Sequence, residues 1–240
     1  MGELVNPGPG GYTGSATVNG GRLVSGGTIH EAEVNAGTLR NTFTYYAGTL
    51  TLAHIGTVDT ATVRGGVFDN IGITTELMLH GGTFNNITSP VDYFVLNGIV
   101  NTATLLGGVY TGVAGSYTGD LFVGGGGTLD SGLYLGKIDD LSFGNGGVLV
   151  LQEDSLVNIL GTVNLAGALL DTSAIDDFVL NNLASYFNFA EGAGFVGEYN
   201  FVLNEDGRYS VTAANSTPEP ATLLLVGLGL AGLGLARRKK

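Results

Sequence analysis

Cysteine is absent from this 240-residue chain, which excludes disulfides and thiolate metal sites and fits a secreted bacterial surface protein. Proline is scarce, at five residues, and the 42 glycines follow no three-residue period. A collagen triple helix is therefore excluded, and turn-rich β-structure is favoured. Charged residues make up only 12% of the chain while hydrophobic residues reach 44%, so disorder from lack of apolar material is also excluded. Basic residues are the scarcest group. Four of the nine are the last four residues, leaving five against twenty-one acids, a net −16 over residues 1–236. Such a body repels nucleic acid and anionic lipid, attracts divalent cations only weakly, and stays soluble.

A leader is missing too. MGELVNPGPGGYTG has no basic n-region and no apolar h-region, so no signal peptide is visible. A removed leader, a misplaced start or a fragment each accounts for this better than a cytoplasmic protein does.

Site-forming motifs are equally thin. His30, His54 and His80 lie 24 and 26 residues apart, unlike metal-ligand spacings. No G-x-S-x-G elbow occurs. The calcium repeat G-G-x-G-x-D fails in residues 124–130, where Leu129 stands in place of aspartate, and the loop ending at Asp206-Gly207 has Val202 at the first EF-hand ligand position. The doublets Asp139-Asp140, Glu153-Asp154 and Asp176-Asp177 do not make a glycosidase pair alone, since neighbours on a strand point to opposite faces. No catalytic residue, metal ligand or cofactor is assigned. Weak surface calcium stays open, without a site.

What is present is a repeat. A small residue, glycine, any residue and an aliphatic or aromatic one recur as GGTI, AGTL, GGVF, GGTF, GGVY, GGTL and GGVL between Gly26 and Leu149. Residues 56–71, 72–87 and 98–113 align as sixteen-residue blocks, with a ten-residue insertion at 88–97. The second glycines recur on average every twenty residues. Runs rich in Val, Thr, Ile, Leu and Phe alternate with period two and carry no helical stripe. These features predict an all-β parallel β-helix (solenoid) of about 20-residue coils. Aliphatics are expected inside and Thr, Asp, Asn and Glu outside, with Asn70 and Asn86 starting a stacked corner ladder. A β-sandwich of hairpins, turning at Asn97-Gly98 and Asn145-Gly146, is the alternative.

The expected organisation is an irregular lead-in over 1–19, β-helix repeats over 20–152, a capping region and linker over 153–216, and a distinct tail over 217–240. Within the cap, 173–187 has helical spacing with Ser173 as N-cap, and 195–213 reads as a hairpin around residues 204–207. The coils also resemble, weakly, the passenger repeats of autotransporter and filamentous-haemagglutinin adhesins.

The tail reads TPEPATLLLVGLGLAGLGLARRKK. Pro218, Glu219 and Pro220 make a rigid non-helical stop. Residues 221–236 carry no charge, and Arg237, Arg238, Lys239 and Lys240 close the chain. As a helix the apolar run spans roughly 24 Å against a hydrocarbon core of ~30 Å, within reach of a membrane once the cations snorkel. The terminal basic cluster places that end in the cytoplasm.

The order of these three parts resembles the PEP-CTERM sorting signal of Gram-negative bacteria. The resemblance implies recognition by an exosortase, a membrane-embedded transpeptidase that processes the signal near Pro-Glu-Pro. It also implies transient inner-membrane anchoring by the C-terminal helix, then release to the cell surface or outside, in association with exopolysaccharide or biofilm. The expected function is thus a surface or matrix structural, adhesin-like protein that catalyses nothing. The alternative is a polysaccharide-active β-helix lyase or glycosidase at the same place, which needs acids such as Asp69, Asp92, Asp120 and Asp130 to converge.

Overall fold

The computed structural model describes residues 3–6, 11–45, 52–91, 94–176, 178 and 180–214. Among them the chain is all-β, apart from a 3-10 helix at Leu180–Tyr186. Twenty strands form one hydrogen-bonded network, and four more form two separate antiparallel pairs.

Two ladders of parallel strands organise the network. The long ladder runs from Tyr12–Ser25 and Thr28–Asn41 through Thr57–Val63, Ile73–Leu79, Ile99–Leu105 and Tyr117–Val123 to Lys137–Phe143. The short ladder starts at the second halves of the first two strands. It continues through Val67–Asn70, Thr83–Asn86, Val109–Gly112, Thr128–Asp130 and Gly147–Gln152 to Ala168–Ala174. Beyond the first two strands, which belong to both ladders and pair with each other, the chain visits the ladders alternately, so each ladder strand pairs with the next of its own kind and not with its sequence neighbour. Hairpin turns at Asn97-Gly98 and Asn145-Gly146 are therefore not found: the strands on either side of each belong to different pairings.

The basic unit is sixteen residues. Tyr12 pairs with Thr28 and Thr57 with Ile73, each sixteen on. The step from Thr28 to Thr57 is 29 because thirteen extra residues, 43–55, make the antiparallel pair Phe43–Tyr45 with Leu52–Ile55. The step from Ile73 to Ile99 is 26 because ten extra residues, 88–97, pair Thr88–Val91 with Phe94–Asn97. The average near twenty in the sequence mixes these insertions with later steps of 18 and 20, from Ile99 to Tyr117 and from Tyr117 to Lys137.

Each long strand bends once, at two successive residues that point outward except in Tyr117–Val123, where the first of the two is the buried Gly119. In Thr57–Val63 the pattern buries Val58, Ala61 and Val63 and turns Asp59 and Thr60 out. Pairing skips the first residue of that doublet on every rung, at His30, Asp59, Thr75, Asn101, Gly119 and Asp139. The corner between ladders is closed by glycine. Gly66 and Gly82 have φ of +74° and +77°, and a Cβ on Gly82 would lie 2.6 Å from the Gly66 carbonyl oxygen. Left-handed backbone and stacked corners thus both require glycine there.

The core lies between the ladders. Phe68 meets Phe84 edge to face at a centroid distance of 4.9 Å, and Phe84, Tyr110 and Tyr134 stack at 5.2 and 5.4 Å. Beside them runs an amide ladder that is fully buried. Asn41 Nδ2 donates to Asn70 Oδ1 at 2.9 Å, and Asn70 Nδ2 donates to Asn86 Oδ1 at 3.1 Å. Their other amide hydrogens reach the carbonyls of Ile73, Ile99 and Tyr117 at 3.0–3.2 Å. The expected Asn70–Asn86 ladder is present, but it faces inward, not outward. The amide nitrogens of Asn41 and Asn70 each find a neighbouring amide and a backbone carbonyl, and that of Asn86 finds a carbonyl, so burial costs these donors little, while Asn41 Oδ1 at the end of the ladder is left without a partner. Gly112 takes the next place in the column, where a Cβ would meet the Tyr134 ring at 2.4 Å.

At the ends the boundaries move. Ladder pairing begins at Tyr12, with Glu3–Asn6 paired to residues 22–25, well before Gly20. The helix expected over 173–187 gives way to strand Ala168–Ala174 and the 3-10 helix. Leu149 pairs with Leu170, and Asp171 Oδ1 takes the Ser173 amide and hydroxyl at 3.1 and 2.6 Å, so Ser173 caps no helix. The expected hairpin is present as Tyr199–Leu203 with Tyr209–Ala213. Its second strand pairs antiparallel with Ala168–Ala174, covering the backbone of the last short-ladder strand.

Candidate functional site

The bends of the long strands stack into one outward column: Ser15, Glu31, Thr60, Glu76, Thr102, Asp120, Asp140. Acids alternate with hydroxyls over most of its length, at the ~4.8 Å spacing of neighbouring strands. At its N-terminal end a cavity of about 370 Å³ is lined by Glu31, Glu33, Thr60, Thr62 and Arg64. Arg64 Nε donates to Glu33 Oε1 at 3.1 Å across the groove. Seven of its nine lining residues are polar or charged, a wall that offers hydrogen bonds to hydroxyl-rich ligands.

The acids at the other end hold neighbouring strands. The Tyr117 hydroxyl donates to Asp139, which pushes the phenol up to about 12. Asp140 accepts the Thr162 hydroxyl at 2.7 Å and the Thr162 amide at 2.6 Å, and these bonds hold its carboxyl below the ordinary range. Burial drives the Tyr110 and Tyr134 phenols up; both bond Thr118 Oγ1, at 2.7 and 2.6 Å.

Of the acids weighed for a glycosidase, the three described ones stand on different strands. Asp69 stands on the short ladder and accepts the Asn85 amide at 2.8 Å. Asp130, three strands further along that ladder and so ~14 Å away, accepts Gln152 Nε2 at 2.6 Å. Asp120 lies on the long ladder, and Asp92 is outside the described residues. His30 pairs with Asp59 at the exposed bend, and His80 is exposed before its corner glycine, as the repeat predicts. His54 lies in the first inserted hairpin, and its side chain is not among those described. Among the described residues no group of three or more His, Cys, Asp or Glu is placed to hold a metal.

Sequence reasoning missed Asn41 as the first rung of the amide ladder. Its signal was present: Asn41 stands three residues after Thr38 as Asn70 does after Val67, but the 43–55 insertion hid the alignment.

The expected sorting residues, Pro218, Glu219, Pro220 and Arg237, Arg238, Lys239, Lys240, lie outside the described residues, as does the expected membrane helix over 221–236. Among described residues no helix is long and apolar enough to cross a membrane. The described fold ends at Ala214, whose amide donates to the Glu198 carbonyl at 2.8 Å. Pro218 follows four residues later.

An all-β body followed by such a tail defines a class, a surface-sorted β-protein. Residues 216–240 match the PEP-CTERM protein-sorting motif, so the chain carries a PEP-CTERM sorting signal at this end. That motif marks a chain for exosortase-dependent sorting to the cell surface. No curated protein and no solved structure matches the chain.

Proposed function

We propose that the chain is a non-catalytic surface or matrix protein whose body is a parallel β-helix, closed at its C-terminal end by the 199–213 hairpin. The tail anchors it in the inner membrane through a helix over 221–236 until an exosortase processes the signal. The body then engages exopolysaccharide of the surface matrix. The observation that carries this reading is the sorting motif at 216–240 joined to a body whose repeated strands pair in parallel, unit on unit. Parallel partners sixteen residues apart need a chain that winds, since hairpins give antiparallel neighbours. The bend column and the adjoining groove supply rows of hydroxyl, amide and carboxylate groups suited to a polyhydroxylated polymer.

Incubating the full chain with the producing cell's own matrix polysaccharide tests the functional part. Retention of the protein by the polymer, with no new reducing ends and no unsaturated sugar products, is the expected result. Accumulating products would overturn it in favour of a lyase or glycosidase, and the groove around Glu31, Glu33 and Arg64 would be the place to mutate.

A further inference from the structure

Beside the bend column, the outward face of the long ladder carries a second column, two residues further along each strand. It runs through Thr62, Met78, Thr104, Phe122 and Ser142, one residue per rung. Thr62 also lines the groove around Glu33 and Arg64, so groove and column share one face. Phe122 is the one aromatic ring among these five, and it is 38% exposed.

Two glycines make room for that ring. A Cβ on Gly124 would meet it at 2.8 Å and one on Gly144 at 2.6 Å, and the three atoms nearest the latter all belong to the ring. Neither glycine has a left-handed φ, unlike Gly66 and Gly82 at the corners. The equivalent position on earlier rungs carries the side chains of Arg64, His80 and Leu106, as the matching amide-to-carbonyl bonds show. Backbone geometry therefore does not call for glycine at 124 and 144. The ring does, because it leans over both strands in the space their side chains would fill.

We infer that Phe122 is a stacking platform for a pyranose ring of an uncharged or amine-bearing polysaccharide. This rests on the polysaccharide-binding reading above and gives it a subsite and a class of sugar. The electron-rich face of an aromatic ring attracts the C–H face of a pyranose. Thr104 and Ser142 stand on the rungs to either side, ~4.8 Å away, and Asp120 is exposed two residues back on the same strand. These groups suit the hydroxyls around a sugar's rim. Charge selects the class. On strands 99–105, 117–123 and 137–143 the one cation is Lys137, on the far side of the bend. A uronate would face Asp120 with no counter-charge beside it, whereas a neutral or amine-bearing sugar would not be repelled. The next exposed apolar side chain of the column, Met78, is two rungs away with Thr104 between, which suits a sugar better than a protein surface.

The probe is the producing cell's matrix polysaccharide, separated by anion exchange into acidic and non-acidic chains and offered to the full chain in a sugar-free detergent. The unaltered protein is expected to bind the non-acidic fraction. Phe122→Leu keeps apolar cover over both glycines but has no π face, and should bind about five-fold more weakly with an unchanged circular dichroism spectrum. Gly144→Ala pushes the ring from its seat and should weaken binding in the same way. The chain has no tryptophan, so Phe122→Trp supplies a single reporter whose emission should shift as the polymer binds. If the unaltered protein binds neither fraction, the polysaccharide-binding reading fails and this inference with it. If it binds only the acidic fraction, or Phe122→Leu binds equally well, or the bound polymer leaves the Phe122→Trp emission unchanged, this inference alone is overturned.

Discussion

Asn70 sits at the centre of the amide ladder, accepting from Asn41 and Thr74 and donating to Asn86 and to the Ile99 carbonyl. Asn70→Ala strands several buried partners, each unsatisfied group costing about 1–3 kcal/mol. A loss of ~3 kcal/mol is expected in chemical denaturation. Asn41 stands at the end of the ladder with its Oδ1 already lacking a partner, so Asn41→Ala should cost less. Equal losses would show that the ladder does not act as a unit. Two glycines separate backbone conformation from packing in the same way. Gly192→Ala meets only the left-handed φ of +82°, with nothing within 4 Å, for about 1–2 kcal/mol. Gly82→Ala meets a similar φ and the Gly66 carbonyl as well, and should be clearly the more destabilising.

Titration belongs at this scale too. Tyr117, Tyr110, Tyr134 and Tyr199 all lose their protons less readily when folded than the ordinary tyrosine near 10. Their neutral forms therefore contribute stability that is fully present below pH 10. For Tyr117 that contribution is lost as pH rises through about 12. Phenolate absorbance at pH 11 should thus fall short of the chain's ten tyrosines until urea is added. Full ionisation while the fold persists would contradict the buried hydroxyl pairing around Thr118. For Tyr117→Phe, the loss of stability between pH 10 and 12 should be shallower.

At the scale of elements, the two hairpins are additions to a complete unit. Ile71 passes directly to Gly72, while Ile87 and Gly98 hold the same relation across ten residues, with the Gly98 amide donating to the Ile87 carbonyl at 2.9 Å. Deleting 88–97 joins Ile87 to Gly98 as Ile71 is joined to Gly72. Circular dichroism and melting temperature should stay close to those of the full chain, because loop length changes stability only slowly. Collapse of the fold would mean that the hairpin is part of the body. Much of this was legible in the sequence, since residues 56–71, 72–87 and 98–113 align and the 88–97 insertion stands out between them. The 43–55 insertion was not, because one flank falls in the strand Thr28–Asn41, where Gly37 and not a Gly-Gly pair marks the corner. The helical spacing of 173–187 misled for a different reason: pairing of Ala174 with Gln152 draws its start into a strand, and Leu183 and Tyr186 reach the core from a 3-10 helix instead.

For the whole molecule, the sorting tail was readable residue by residue, because proline, apolar run and basic cluster each act through chemistry fixed by composition. The polar surface was harder to read. Which acids share an edge depends on register, and one skipped residue at each bend decides it. Asp139 and Asp140 are adjacent in sequence yet serve different neighbours, Tyr117 and Thr162.

The most direct measurement is the intact mass and location of the full chain in cells with and without an exosortase. With the enzyme, the protein should lose the mass of the tail beyond the Pro218-Glu219-Pro220 region and appear outside the cell. Without it, the full mass should persist in the membrane fraction. Full-length protein remaining in the cytoplasm in both strains would contradict the account.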